Sequence, residues 1–244
     1  MKLTGQTWWL IGASEGLGRA LAQAMAAEGA TLILSARNAE RLESLAATLP
    51  GARALPMDVQ SAESVRDAAA QVSTIDGLVY LSGVYWPMRA QEWDTEKAAT
   101  MIDVNLTGAV RVLGAVLPGM IARGRGQVVL TGSLAGFRGL PGSIGYGASK
   151  AGLMNLAQSL QGDLQGTGIA VTLANPGFIR TRLTDKNDFA MPFLMPPEAA
   201  AQHMLTAIVK KRSASSFPTL FSWLFRAGRL LPDALWHRIF ARGA

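Results

Sequence analysis

Short apolar runs alternate with helical patterns along most of this chain, and that alternation constrains its fold more than any other feature. TWWLI (7–11) precedes LGRALAQAMAAEG (17–29), and TLILS (31–35) precedes NAERLESLAATL (38–49). ARALPMDV (52–59) precedes SAESVRDAAAQV (61–72), and DGLVYLSG (76–83) precedes a long helical stretch over 94–121. GQVVLTGS (126–133) precedes a helix that begins near Gly142, and GIAVTLANPG (168–177) reads as a sixth strand. Runs such as TLILS are apolar almost throughout, as strands covered on both faces are. Strand–helix alternation predicts a parallel sheet with right-handed crossovers. The expected fold is therefore α/β: a single doubly wound parallel sheet with helices on both faces. Asn38 and Ser61 are candidate N-caps, and Pro118 with the glycines after it marks the end of the long helix.

Composition narrows the chemistry. The chain has 244 residues, 49% hydrophobic and 16% charged, which suits one large domain and is too apolar for disorder. With no cysteine, disulfides, cysteine zinc sites, iron–sulfur clusters and a thiol nucleophile are excluded. His203 and His237 alone leave little for a histidine metal site or a Ser-His-Asp triad, so no metal is expected. No run of 18 apolar residues is present to span a bilayer. The opening MKLTGQTWWLIGAS reads as a first strand rather than a signal peptide, because glycine-rich turn chemistry follows at once. A cytoplasmic protein is expected.

The net charge of +6 is unevenly placed. Residues 1–200 carry 16 basic and 16 acidic side chains; residues 201–244 carry seven basic ones against Asp233 alone. No basic face with a recognisable nucleic-acid module is visible, so no nucleic-acid partner is expected.

After the first strand comes Gly12-Ala13-Ser14-Glu15-Gly16-Leu17-Gly18. Glycines at a strand-to-helix turn permit positive φ and let backbone N–H groups approach a pyrophosphate. The helix N-terminus then faces that negative charge. The end of the second strand selects the cofactor: an acidic residue there holds the ribose 2′-hydroxyl of NAD. This chain has Ser35-Ala36-Arg37 instead. A guanidinium can fork onto a 2′-phosphate, which favours NADP(H) over NAD(H). Glu15 pulls the other way, since it stands in the same turn and would repel that phosphate.

Tyr146 and Lys150 stand four apart in YGASK at the start of a predicted helix, on one helical face. A phenol ionises near pH 10, and a neighbouring ammonium together with the positive nicotinamide of an oxidised cofactor favours its phenolate. Such a tyrosine can exchange a proton with a substrate oxygen while hydride moves to or from a nicotinamide. Ser133, at the end of the fifth strand, borders the ligand crevice of a parallel sheet and can hydrogen-bond a carbonyl oxygen as charge develops.

Together these residues resemble the short-chain dehydrogenase/reductase family, over about residues 5–200. The resemblance implies a Rossmann-like fold and assigns the family's glycine motif to Gly12, Gly16 and Gly18. It places the adenine contact at Asp58-Val59 and the catalytic set at Asn105, Ser133, Tyr146 and Lys150. Pro176-Gly177 would lie beside the nicotinamide, with Ile179 and Thr181 as carboxamide contacts. By the same resemblance, Asn105 holds a water that links Lys150 to solvent, and Lys150 binds the nicotinamide ribose. Two departures stand out. The family's Asn-Asn-Ala-Gly is Tyr80-Leu81-Ser82-Gly83 here, with only Gly83 retained, so packing at Tyr80 or Leu81 must replace an asparagine that helps fix the sheet. The strand-plus-DGG ending of many tetrameric members is also missing.

The segment 182–198 resembles the family's substrate lid, and its Phe189 and Phe193, with Tyr85 after the fourth strand, are candidate substrate contacts. An uncharged, fairly apolar carbonyl or alcohol is the expected substrate. Residues 1–212 are expected to form one catalytic domain including that lid. Residues 213–244 form a basic amphipathic extension, helical and not an independent domain. In 217–244, apolar stripes alternate with Arg226, Arg229, Arg238 and Arg242. Three readings of it stay open: peripheral contact with the inner face of a membrane, a subunit interface, or helices packed on their own domain. The family implies a homodimer or homotetramer. The functional expectation is an NADP(H)-dependent oxidoreductase; the alternative is a non-catalytic dinucleotide-binding sensor or scaffold on the same fold.

Overall fold

The computed structural model describes residues 1–240; Arg242, the last arginine of the tail, lies outside the described residues. Its centre is a seven-stranded sheet in the order β3-β2-β1-β4-β5-β6-β7, with every pairing parallel. The strands are β1 (Thr7–Ile11), β2 (Thr31–Ser35), β3 (Arg53–Ala54), β4 (Gly77–Tyr80), β5 (Gly126–Thr131), β6 (Ile169–Pro176) and β7 (Ala214–Phe217). The order reverses direction between β1 and β4. In a doubly wound sheet that switch opens a crevice beyond the carboxyl ends of the strands.

Strand alternation builds a core on each face. Trp8 and Leu10 point to one side and pack with α1 (Gly16–Ala27) and α7 (Pro197–Val209) through Leu21, Met25, Met204 and Ile208. Trp9 and Ile11 point to the other and pack with α3 (Ala62–Ala70), α5 (Gly108–Arg123) and α6 (Ile144–Asp163) through Val65, Val112, Leu113 and Leu153. Both indoles are buried, and each donates a hydrogen bond: Trp8 to Gln6 and Trp9 to Ser35 Oγ at 2.8 Å. Gly77 makes room for the Trp8 ring, which would stand 2.2 Å from a Cβ there.

The N-caps are where the sequence puts them. Asn38 accepts from Arg41 N at the start of α2 (Ala39–Ala46), and Ser61 accepts from Ser64 N at the start of α3. The long helix differs. It begins as α4 (Thr95–Ile102), passes through one π-turn at Asp103–Thr107, and continues as α5 to Arg123. Pro118 lies inside α5 instead of ending it; Gly124, left-handed at φ 62°, is the actual stop. By length and composition the helix over Thr95–Arg123 is apolar enough to cross a membrane, although charged residues such as Asp103 and Arg111 interrupt its apolar run. Its Val112, Leu113, Val116 and Met120 instead join the core.

The third strand is only Arg53–Ala54, although its backbone goes on pairing with β2 beyond it: Leu55 N donates to the Leu34 carbonyl at 2.8 Å and Met57 N to the Ala36 carbonyl at 3.1 Å. A strand does follow α7: β7 pairs with β6, and Phe217 is buried. The sheet thus runs past the expected boundary at residues 212/213. The tail after it folds onto its own domain as α8 (Thr219–Gly228) and α9 (Asp233–Phe240). Phe221, Phe225 and Trp236 pack with Leu134, and Trp236 Nε1 donates to the Gly139 carbonyl at 2.7 Å.

Candidate active site

One cavity of about 620 Å³ lies over the carboxyl ends of the strands at the switch point. Every residue expected to hold the cofactor lines it. Gly12, Ser14, Glu15, Gly16, Leu17 and Gly18 form one wall, and Arg37, Asp58 and Val59 close one end. Gly83, Tyr146, Lys150, Pro176, Gly177, Ile179 and Thr181 form the other.

The turn after β1 is tight because of its glycines. Gly12 has φ +94°, and a Cβ there would stand 2.5 Å from Ser82 N. A Cβ at Gly18 would stand 2.0 Å from the Gly12 carbonyl, so α1 can pack this close to the strand only with glycine. No side chain caps α1, whose N-terminal amides belong to the cavity wall. These are the features that let backbone N–H groups receive an anionic group.

Glu15 is not the lone repulsive charge anticipated from the sequence. Its carboxylate pairs with Arg41 at 2.7 Å and Arg182 at 2.6 Å. Two guanidinium groups therefore offset it at the cavity edge, where Arg37 also stands. Sequence spacing points to neither partner: Arg41 lies in α2, and only the fold brings it and Arg182 to the turn after β1.

At the opposite end, Tyr146 and Lys150 project from the first two turns of α6. Burial pushes the Tyr146 phenol above the usual tyrosine value, and a hydrogen bond with Ser133 opposes that shift. The expected lowering by Lys150 is absent. Its Nζ lies 5.8 Å from the Tyr146 ring centre and donates to the Thr131 carbonyl at 2.8 Å. Burial holds Lys150 itself down, to about 8. Ser133 is buried at the end of β5, where its Oγ also accepts from Ala135 N.

Asn105 sits in the π-turn and is fully buried. Its amide donates to the Val84 carbonyl at 3.0 Å and Ser149 Oγ at 2.9 Å, and its oxygen accepts from Val84 N at 2.7 Å. Ser149, which sequence reading missed, passes the link on to the Tyr146 carbonyl. Asn105 thus ties the loop after β4 to the helix of Tyr146. Tyr80, the departure from the family's asparagine, supports the same turn. Its buried hydroxyl donates to the Val104 carbonyl at 2.5 Å, next to Asn105. Gly108 makes this possible, since a Cβ there would stand 2.5 Å from that hydroxyl.

Tyr85 stands edge-on to Tyr146 with ring centres 5.0 Å apart, and its hydroxyl donates to Asn187 on the lid segment. Phe189 and Phe193 are not brought into the cavity. Phe189 packs edge-on against Phe178, Phe193 packs against Phe221, and both stay half exposed.

A family model described as short chain dehydrogenase matches residues 6–190. This protein belongs to the short-chain dehydrogenase family. The enzyme is 38% identical over 242 residues to an uncharacterized oxidoreductase of Myxococcus xanthus, with 96% of each chain covered. It is also 38% identical over 185 residues to a sulfoacetaldehyde reductase of Chromohalobacter salexigens, covering 72% of this chain and 73% of that one. Among solved structures, a short-chain dehydrogenase from Sphingobium yanoikuyae in complex with NADPH matches with a TM-score of 0.82. The two are 26% identical, with 94% of this chain and 97% of that chain covered. This short-chain dehydrogenase is thus an oxidoreductase of CH–OH and C=O groups with a nicotinamide dinucleotide as partner.

Proposed function

We propose that this enzyme is an NADP(H)-dependent carbonyl reductase or alcohol dehydrogenase acting on a fairly apolar small molecule, with Tyr146 as the acid–base. The observation that carries this reading is one cavity lined by both Tyr146 and Arg37. The residues fit the dinucleotide. Gly12 and Gly18 leave a cradle that a Cβ would fill, the first turn of α1 is uncapped, and Thr131 Oγ1 is buried without a partner at the cavity wall. Arg37 would hold the 2′-phosphate, Asp58 and Val59 the adenine, and Lys150 the nicotinamide ribose. When bound, the nicotinamide supplies or accepts the hydride.

The chain's own residues handle the proton. Burial holds the Tyr146 phenol above its usual value, so it stands protonated at neutral pH and can donate to a carbonyl oxygen. Ser133 hydrogen-bonds the same oxygen as it gains charge. Asn105 anchors the helix of Tyr146 and, with a bound water, would reload the proton through Lys150. Tyr85 does not line the cavity but stands edge-on to Tyr146, where it would border a substrate held at that hydroxyl. A homodimer or homotetramer in the cytoplasm is part of this reading by family resemblance.

The test is Tyr146→Phe, followed by the absorbance of NADPH with a panel of ketones and aldehydes. We expect turnover to fall by about 10²–10⁴-fold while NADPH affinity stays near the parent's. Full activity in the variant would remove the mechanism. Tight NADPH binding by the parent without turnover on any carbonyl would favour the sensor or scaffold instead.

A further inference from the structure

The helix α8 is apolar on two sides. Phe221 and Phe225 face inward and are buried with Leu134 and Trp236. Leu220, Trp223 and Leu224 face outward and are 75%, 60% and 50% exposed. Leu230, just past the helix, is 88% exposed. Positions 220, 223, 224 and 227 form a single stripe at helical spacing. A helix packed on its own domain needs only the inner stripe; an outer one marks a surface that something covers.

Along this stretch of the sequence the charge has one sign. No acidic residue occurs between Glu198 and Asp233, and Asp233 already pairs with Arg138. Arg226 flanks the stripe with its guanidinium 5.6 Å from the Trp223 ring centre. Arg229 and Arg238 are exposed nearby in sequence. A two-fold contact through this face would bring cations against cations, and residues 1–200 of a second copy offer no net negative charge. An anionic lipid surface satisfies both features at once: acyl chains take Leu220, Trp223 and Leu224, and headgroups take the arginines.

We propose that the outer face of α8 docks onto an anionic lipid surface. The segment 182–198 packs on the inner side of the same helix, with Phe193 and Phe221 ring centres 5.4 Å apart. The docking itself stands whether or not the apolar-substrate reading holds.

The experiment is sedimentation of the full chain with vesicles of phosphatidylcholine alone or mixed with phosphatidylserine. The expected result is sedimentation with the mixed vesicles only, weakened by added salt. Leu220→Ser/Trp223→Ser/Leu224→Ser should stay in the supernatant while keeping its melting temperature and NADPH affinity. Arg226→Gln and Arg229→Gln should each weaken partitioning about fivefold. The proposal fails if the parent does not sediment, or if the triple variant sediments as well as the parent. It also fails if ultracentrifugation shows a dimer that the triple variant converts to monomer, which would assign the face to a second copy.

Discussion

Replacing Lys150 with methionine should make the cofactor-free enzyme more stable at neutral pH while destroying its activity. Lys150 is 4% exposed, and its burial lowers its pKa from 10.5 to about 8. Below pH 8 both folded and unfolded chains carry the proton, so the full cost of burying the cation is present. Between pH 8 and 10.5 the folded chain sheds that proton before the unfolded one does, and stability rises. The shift corresponds to about 3 kcal/mol of destabilisation at pH 7, falling to about 1 kcal/mol at pH 10. Methionine removes this cost but leaves the Thr131 carbonyl without its donor, a pH-independent loss of about 1 kcal/mol. Lys150→Met should therefore gain about 2 kcal/mol at pH 7 and about nothing at pH 10. Urea denaturation of both proteins at the two pH values measures the difference, and comparison within the pair cancels other titrating groups. An advantage that does not shrink as pH rises would refute the account of a buried, reluctantly charged lysine.

Three further outcomes follow from named contacts. Arg37→Asp should lower kcat/KM for NADPH by about tenfold or more and raise the relative use of NADH; an unchanged ratio in steady-state assays would show that Arg37 does not select the cofactor. Ser35→Ala strands the buried Trp9 N–H and should cost about 1–3 kcal/mol in denaturant melts, whereas no change would mean the indole finds another acceptor. Tyr80→Phe removes the donor to the Val104 carbonyl and should cost about 1 kcal/mol, together with a fall in kcat larger than any change in KM. Equal kcat in that variant would separate Tyr80 from the placement of Asn105.

Much of the site was legible because it depends on local rules. A glycine turn between a strand and a helix, an arginine at a strand end and a Tyr–Lys pair one turn apart are written as spacings, and the fold carries all of them to one cavity. What spacing does not encode is who meets whom across the chain. Glu15 and Arg182 are 167 residues apart, and their pairing turns an apparent repulsion into an offset charge. Lys150 was expected to tune Tyr146, yet its ammonium turns to the Thr131 carbonyl. The polar stretch ASSF gives little sign of a strand, and β7 forms because an unpaired edge of β6 is available.

The amino-acid order alone determined that this chain folds as a parallel α/β sheet with a glycine turn after its first strand and a Tyr–Lys pair one helical turn apart, because period, glycine placement and residue chemistry act over a few neighbours. Tertiary structure decided the ionisation of Tyr146 and Lys150, the neutralisation of Glu15, and which face of α8 stays bare. Those properties depend on burial and on partners distant in sequence, and burial is settled only when the layers close.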